Sequence, residues 1–291
     1  MVLVSRFWHW FDGALAPVVV WLNAAANALG GVLLAPIGVL PGGLSATLVG
    51  AVTGVLLLLV FKYTSNQVAI KRVRADIKAN LLALKLFKDS AAVALRSQGR
   101  IIVAAFWLLI YAIVPILVMT VPVLLILGQR ALWYQARPLR VGEDAVLTLK
   151  LNSKANWPWP DVRLEPTSAT AIEIGPVRVR SQSEICWQLQ AREPGYHRLV
   201  FHVGNDTYEK ELATGDAIMR VSMQRPARRA GDALLHPAEP PFSSDSIVQS
   251  IQIDYPKRSS WTSGSDYWVF YWFTVSMISA LVFRRALNVN I

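Results

Sequence analysis

The chain has 291 residues, of which 54% are hydrophobic and only 16% charged. An ordinary soluble domain carries about 25% charged residues, so the composition argues against an all-soluble chain and implies that part of it lies in lipid. The formal net charge of +10 is not spread as a nucleic-acid surface would be: residues 62–100 hold nine Lys/Arg against two Asp, whereas residues 129–265 hold seventeen against fifteen Asp/Glu. A basic loop between two apolar segments is a topology signal, and no specific nucleic acid is expected as a partner.

Residues 1–43 carry only Arg6 and Asp12 as charges. A signal peptide over 1–22 is one reading, with small residues at 24–26. A fourth span over 18–39 is another, but Asn23, Asn27, Gly30, Gly31 and Pro36 interrupt it. The preferred reading is a set of interfacial helices on the outer membrane surface, held by Trp8, Trp10 and Trp21.

Residues 44–61 form the first uncharged run, eighteen residues long. A hydrocarbon core of about 30 Å takes roughly 20 helical residues, so this segment spans with little tilt. The polar knot Thr64-Ser65-Asn66-Gln67 then offers side chains that can cap a new helix. Ile70, Val73, Ile77, Leu81 and Leu84 recur at helical spacing, and Lys71, Arg72, Arg74 and Lys78 lie off that stripe. Lys88-Asp89-Ser90 looks like a break before a second short helix over 90–100. An amphipathic helical hairpin over 62–100 is therefore expected.

Residues 101–127 are the second span, twenty-seven residues without a charge. Their length calls for tilting or kinking, and Pro115 and Pro122 supply the means. Beyond them the hydrophobic period changes to two. VGEDAVLTLKL (141–151), ICWQLQA (185–191) and HRLVFHV (197–203) alternate polar and apolar residues, with turn residues between such runs. About seven strands are expected over 138–221, forming an all-β immunoglobulin-like sandwich within 129–224. Residues 225–265, rich in Pro, Ser and charge, read as an extended linker. Residues 266–291 bring a third span over 267–283, stopped by Arg284-Arg285. With residues 62–100 cytoplasmic, the β domain and the N-terminus lie outside and the C-terminus inside.

No active site is evident. His197 and His202 fall on opposite sides of a strand and neither has a cysteine or carboxylate at metal-ligand spacing, and Cys186 sits inside a strand. No cofactor, metal or enzymatic activity is expected. The spans contain no charged residue or histidine, which argues against a pump or secondary transporter. Their thin polar set is Thr53, Tyr111, Thr120, Thr274, Ser276 and Ser279, the last two on one helix face. These side chains either bond to backbone and hold helices together, or line a mildly polar groove.

The order of segments, carried by VFKYTSNQVAIKRVRADIKANLLALKLFKDS (60–90) with the flanking spans and the last one, resembles the YidC/Oxa-type membrane protein insertase superfamily. It is nearest to the three-span archaeal members and to subunit three of the ER membrane protein complex. The likeness covers less than half of the chain. It implies a helical core with a groove open to the cytosol and the inner leaflet, which lowers the cost of moving polar groups through hydrocarbon. On that resemblance Thr53, Tyr111, Ser276 and Ser279 are groove candidates. Lys62 stands in for the groove arginine of bacterial relatives, because no span here contains one. Lys71, Arg72, Arg74 and Lys78 would contact a ribosome or an incoming chain. The implied partners are nascent membrane proteins, the ribosome and the lipid bilayer. A second reading, from the residues alone, is a membrane-anchored interaction or assembly-scaffold protein whose β-sandwich binds a subunit of a membrane complex.

Overall fold

The computed structural model describes residues 16–28, 30, 40–87, 90–152, 159–260 and 267–289. Trp8 and Trp10, the expected interfacial anchors, lie outside them, as do Lys88 and Asp89 at the expected helix break. The described part combines helices with antiparallel β-sheet, in two compact units. One unit draws on Met1–Ala46 and Leu124–Phe270, the other on Thr47–Val123 and Tyr271–Ile291.

The first unit is built on strands β1 (Asp144–Leu151), β2 (Val162–Leu164), β3 (Thr170–Val179), β4 (Glu184–Ala191), β5 (Gly195–Val203), β6 (Asp206–Thr214), β7 (Gln224–Arg225) and β8 (Val248–Ile253). Five of them make one sheet in the order β3-β4-β1-β8-β7, and β2-β5-β6 make a second. Every strand pair is antiparallel. Period two decides which side chains go inward. Ala145, Leu147, Leu149 and Leu151 of β1 meet Ile185, Trp187 and Leu189 of β4 with Leu199, Phe201 and Val203 of β5 in one core, and Trp187 stands edge-on to Phe201 at 5.8 Å.

Residues 225–260, the described part of the expected linker 225–265, are not a linker. They supply β8, which pairs with β1 on one side and β7 on the other, and bury Phe242, Val248, Ile251, Ile253 and Tyr255 in the core. They also supply Glu239, which meets the fully buried Lys210 of β6 at 2.5 Å. The Lys210 ammonium donates further to the Ser222 carbonyl at 2.7 Å and its hydroxyl at 3.0 Å, and to the Glu211 carbonyl at 3.1 Å. The second oxygen of Glu239 accepts from the Glu211 amide at 3.1 Å. Burial pulls the Lys210 pKa down, and the Glu239 charge opposes that fall. Just before β1, Arg137 forks Glu143, with nitrogen–oxygen distances of 2.7 and 2.8 Å, and these bonds hold the Glu143 carboxyl below its ordinary range.

Helix α1 (Ala16–Ala28) belongs to this unit. Asn23 and Asn27, which interrupt the apolar run, donate side-chain amides to the carbonyls of Ala233 and Pro237, each at 2.7 Å. Ala233 lies in the short helix α5 (Ala230–Leu235). So α1 is docked on protein through its polar residues, while Trp21 is exposed.

The second unit contains most of α2 (Gly42–Thr64), all of α3 (Gln67–Leu86), the larger part of α4 (Ala91–Tyr134) and most of α6 (Trp268–Phe283). Helices α2 and α4 are long and apolar enough to cross a membrane. The segment expected as a third span forms the 16-residue α6, about 24 Å long at 1.5 Å per residue. The polar knot after α2 caps as expected: Asn66 accepts from the Ala69 amide at 3.0 Å and opens α3. The expected short helix over 90–100 is not separate. It is the first part of the 44-residue α4, which continues through Pro115 and Pro122.

Candidate functional site

Polar residues of α2 and α6 meet at the contact between these two helices. Gly50 and Gly54 lie one turn apart on α2, facing α6. A Cβ on Gly54 would come 2.2 Å from the Ser276 carbonyl oxygen, and one on Gly50 would come 3.0 Å from a Val275 methyl. Two glycines four apart let helix backbones approach to this degree. At that distance the Ser276 hydroxyl reaches the Gly50 carbonyl and the Ser279 hydroxyl reaches the Ala51 carbonyl, both at 2.9 Å. Both serines are buried, and the hydroxyls of Thr47 and Tyr271 meet at 2.6 Å on the same pair of helices.

The groove candidates therefore divide. Ser276 and Ser279 are brought together, and each is occupied in holding α6 to α2. Thr53 is also buried, and its hydroxyl returns to the Val49 carbonyl of its own helix at 2.6 Å. Tyr111 lies on α4, half-buried and stacked with Trp107 at 5.9 Å, and Thr120 is exposed with its hydroxyl on the Ile116 carbonyl. Lys62 sits over the ring of Tyr63 at 5.9 Å. Gly50 and Gly54 were not singled out from the sequence, although their four-residue spacing inside an uncharged run was the available signal.

A second feature lies between α3 and the start of α4. A groove of about 570 Å³ is lined by Val73, Asp76 and Asn80 from α3 and by Arg96, Arg100 and Trp107 from α4, with Gly99, Val103 and Ala104 between them. Of the surface-binding candidates, Lys71, Arg72 and Lys78 are exposed and Arg74 is half-buried, and none of the four lines this groove.

In the β unit the outer face of the larger sheet carries exposed apolar side chains at its β3 edge. Ile174 of β3 and Val146 of β1 both pair with Gln188 of β4, and Val177 pairs with Cys186. Val146, Ile174 and Val177 are 43%, 55% and 48% exposed, with Gln188 between the first two. Pro176 within β3 has no N–H to offer a further strand, so this edge is blunted against strand addition while its face stays open. Toward β8 and β7 the same face becomes polar, with Gln224, Gln249 and Gln252 around a cavity of about 240 Å³.

His197 meets the Glu193 carbonyl at 2.9 Å and His202 lies 3.5 Å from Glu165. Among the described residues no group of three or more His, Cys, Asp or Glu is placed to hold a metal ion. Arg130 on α4 is buried over the Tyr134 ring at 4.9 Å, and its guanidinium has no hydrogen-bond partner among the described residues. No family model, no curated protein and no solved structure matches the chain.

Proposed function

We propose that this protein is a membrane-anchored assembly scaffold: its apolar helices hold it in the inner membrane, and its β domain, an immunoglobulin-like sandwich, binds a protein partner of a membrane complex. The observation that carries this reading is the engagement of Ser276 and Ser279 by the α2 backbone beside Gly54. Hydroxyls so used, with Thr53 bonded to its own helix, are helix glue. The β domain offers what an anchor lacks, an exposed apolar face at β3 with a polar surround. The basic excess of residues 62–100 supports a cytoplasmic hairpin, with the β domain on the opposite side.

A second reading, an insertase-like handling of nascent membrane proteins, has one observation in its favour. Only 6% of the most apolar 18-residue stretch of α4 is buried, against 33% in α2, and the α3–α4 groove lies at the basic end of that uncovered helix.

Photo-cross-linking separates the two. A photoreactive side chain at Ile174 or Val177 should give one discrete cross-linked protein in native membranes, and the same probe at exposed Val141 should give none. At Trp107 it should give no ribosome-associated chains. Cross-links to many nascent chains from Trp107, with none from Ile174 or Val177, would replace the scaffold by the insertase.

A further inference from the structure

The α3–α4 groove has a chemistry that the scaffold reading does not use. Its α4 wall is a single helical stripe: Arg96, Arg100, Val103 and Trp107 follow one another at intervals of four, three and four. The stripe starts cationic and turns apolar at Ile101, where the 27-residue uncharged run begins. From Arg100 to Trp107 the rise is about 10 Å. The α3 wall runs the other way, with Asn80 and Asp76 at the cationic end and Val73 nearer the apolar end.

The charges on the two walls do not neutralise each other. Asp76 makes no ion pair with Arg96 or Arg100, and none of the three side chains has a hydrogen-bond partner among the described residues. Two guanidinium groups and one carboxylate thus face a shared space of about 570 Å³. Gly99, an exposed lining residue, adds no side chain to that space, and a Cβ on it would meet nothing within 4 Å. The space is a surface groove, with Asp76, Arg96, Gly99, Arg100, Val103 and Trp107 all exposed, which suits a headgroup that stays partly in water. A helix about 10 Å wide would fill it with less than two turns, so it is too small for a whole transmembrane segment.

We propose that this groove seats one phosphatidylethanolamine-type glycerophospholipid, with its phosphate between Arg96 and Arg100, its ammonium at Asp76 and Asn80, and its glycerol and upper acyl chain along Val103, Ala104 and Trp107. Arginine suits the phosphate because its planar fork binds two oxygens at once. A carboxylate beside the arginines suits a zwitterion and disfavours a purely anionic headgroup. Trp107 is of the residue type that settles at the level of lipid glycerol. Lys71, Arg72 and Lys78, outside the groove, attract anionic membrane in general but do not select this lipid. The inference rests on the membrane reading and is independent of what the β domain binds.

The test is lipid retention by the full-length protein, taken from carbonate-washed membranes, delipidated in mild detergent and supplied with defined lipids. Native mass spectrometry should find one phosphatidylethanolamine held about tenfold more tightly than phosphatidylcholine, whose quaternary ammonium has no N–H to donate. The double variant Arg96→Gln/Arg100→Gln should lose both lipids. Asp76→Asn should hold the two equally. Gly99→Leu, which sets a bulky apolar side chain between Arg96, Arg100 and Val103 without changing charge, should exclude both, whereas Lys71→Gln/Arg72→Gln should retain the preference. Equal retention of the two lipids by the wild type would overturn the proposal, as would tighter holding of phosphatidylglycerol than of phosphatidylethanolamine. Undiminished binding by Gly99→Leu would do the same. Absence of the protein from carbonate-washed membranes would overturn the membrane reading itself, a failure distinct from an integral protein that binds no lipid here.

Discussion

Replacing Gly54 with valine will force α2 and α6 apart. Even the first added carbon would lie 2.2 Å from the Ser276 carbonyl oxygen, and backbone on both sides leaves no flexible side chain to yield. Overpacking of this kind costs about 1–3 kcal/mol. Separation also breaks the Ser276 and Ser279 bonds to Gly50 and Ala51, each of a kind that averages about 0.6 kcal/mol between membrane helices. The expected loss is about 2–4 kcal/mol for Gly54→Val, against about 0.6 kcal/mol for Ser276→Ala, which removes one bond and leaves the approach intact. Thermal unfolding of the full-length protein in detergent should rank wild type, Ser276→Ala and Gly54→Val in that order. A Gly54→Val protein as stable as the wild type would show that the two helices are not in close contact.

Glu239→Gln should be the most damaging single change in the β domain. Lys210 is fully buried, and its ammonium would lose the carboxylate it is paired with, leaving Glu211 as a weaker counter-charge and the carbonyl acceptors in place. Removing one partner of a buried ion pair costs about 3–5 kcal/mol, because the remaining charge is left in low dielectric. Replacing both members, as in Lys210→Met/Glu239→Leu, should recover much of that loss, since a buried pair adds little over apolar groups of similar size. Hydrogen exchange of β6 reports the difference. Its amides should exchange much faster in Glu239→Gln and closer to wild-type rates in the double variant, apart from the Glu211 amide, which loses its Glu239 acceptor there. Equal protection in the single variant and the wild type would mean that the pair contributes nothing to holding β6.

Strong periodicity and local capping were legible in the sequence. The uncharged run at 44–61 became α2, Asn66 became the cap of α3, and the alternating runs at 141–151, 185–191 and 197–203 became β1, β4 and β5. Strand β8 was not legible, for a geometric reason. The register of β8 on β1 shifts between Lys150 and Leu151, so one extra residue separates Val248 from Ile251 and both point inward. An irregularity of this kind breaks the two-residue alternation by which a strand is recognised. The Pro- and Ser-rich stretch before it then suggested a linker, although Glu239 within that stretch completes a buried ion pair.

In the helices the sequence gives residue type but not partner. Ser276 and Ser279 were correctly placed on one face, yet period alone does not say whether that face meets lipid, a cavity or a neighbouring backbone. Their role emerges only when Gly50 and Gly54 are set opposite them. The same holds for Asn23 and Asn27, which weakened a fourth span in the sequence and turn out to fasten α1 to residues 233–237. The union of 90–100 with the second span is not legible in the sequence, because Ser90 is a residue that can start a separate helix. Gly99 is the weakest helix former where the two join, and α4 passes through it unbroken.

The scaffold account stands on closure of the α2–α6 contact, and cysteine accessibility measures that closure in the membrane. In a protein whose single native thiol is removed by Cys186→Ser, Ser276→Cys and Ser279→Cys should each resist a water-soluble maleimide in intact membranes and react only after the protein is unfolded in detergent. Rapid labelling of either position in folded protein would mean that these side chains face a hydrated groove, and the scaffold reading would give way to the insertase.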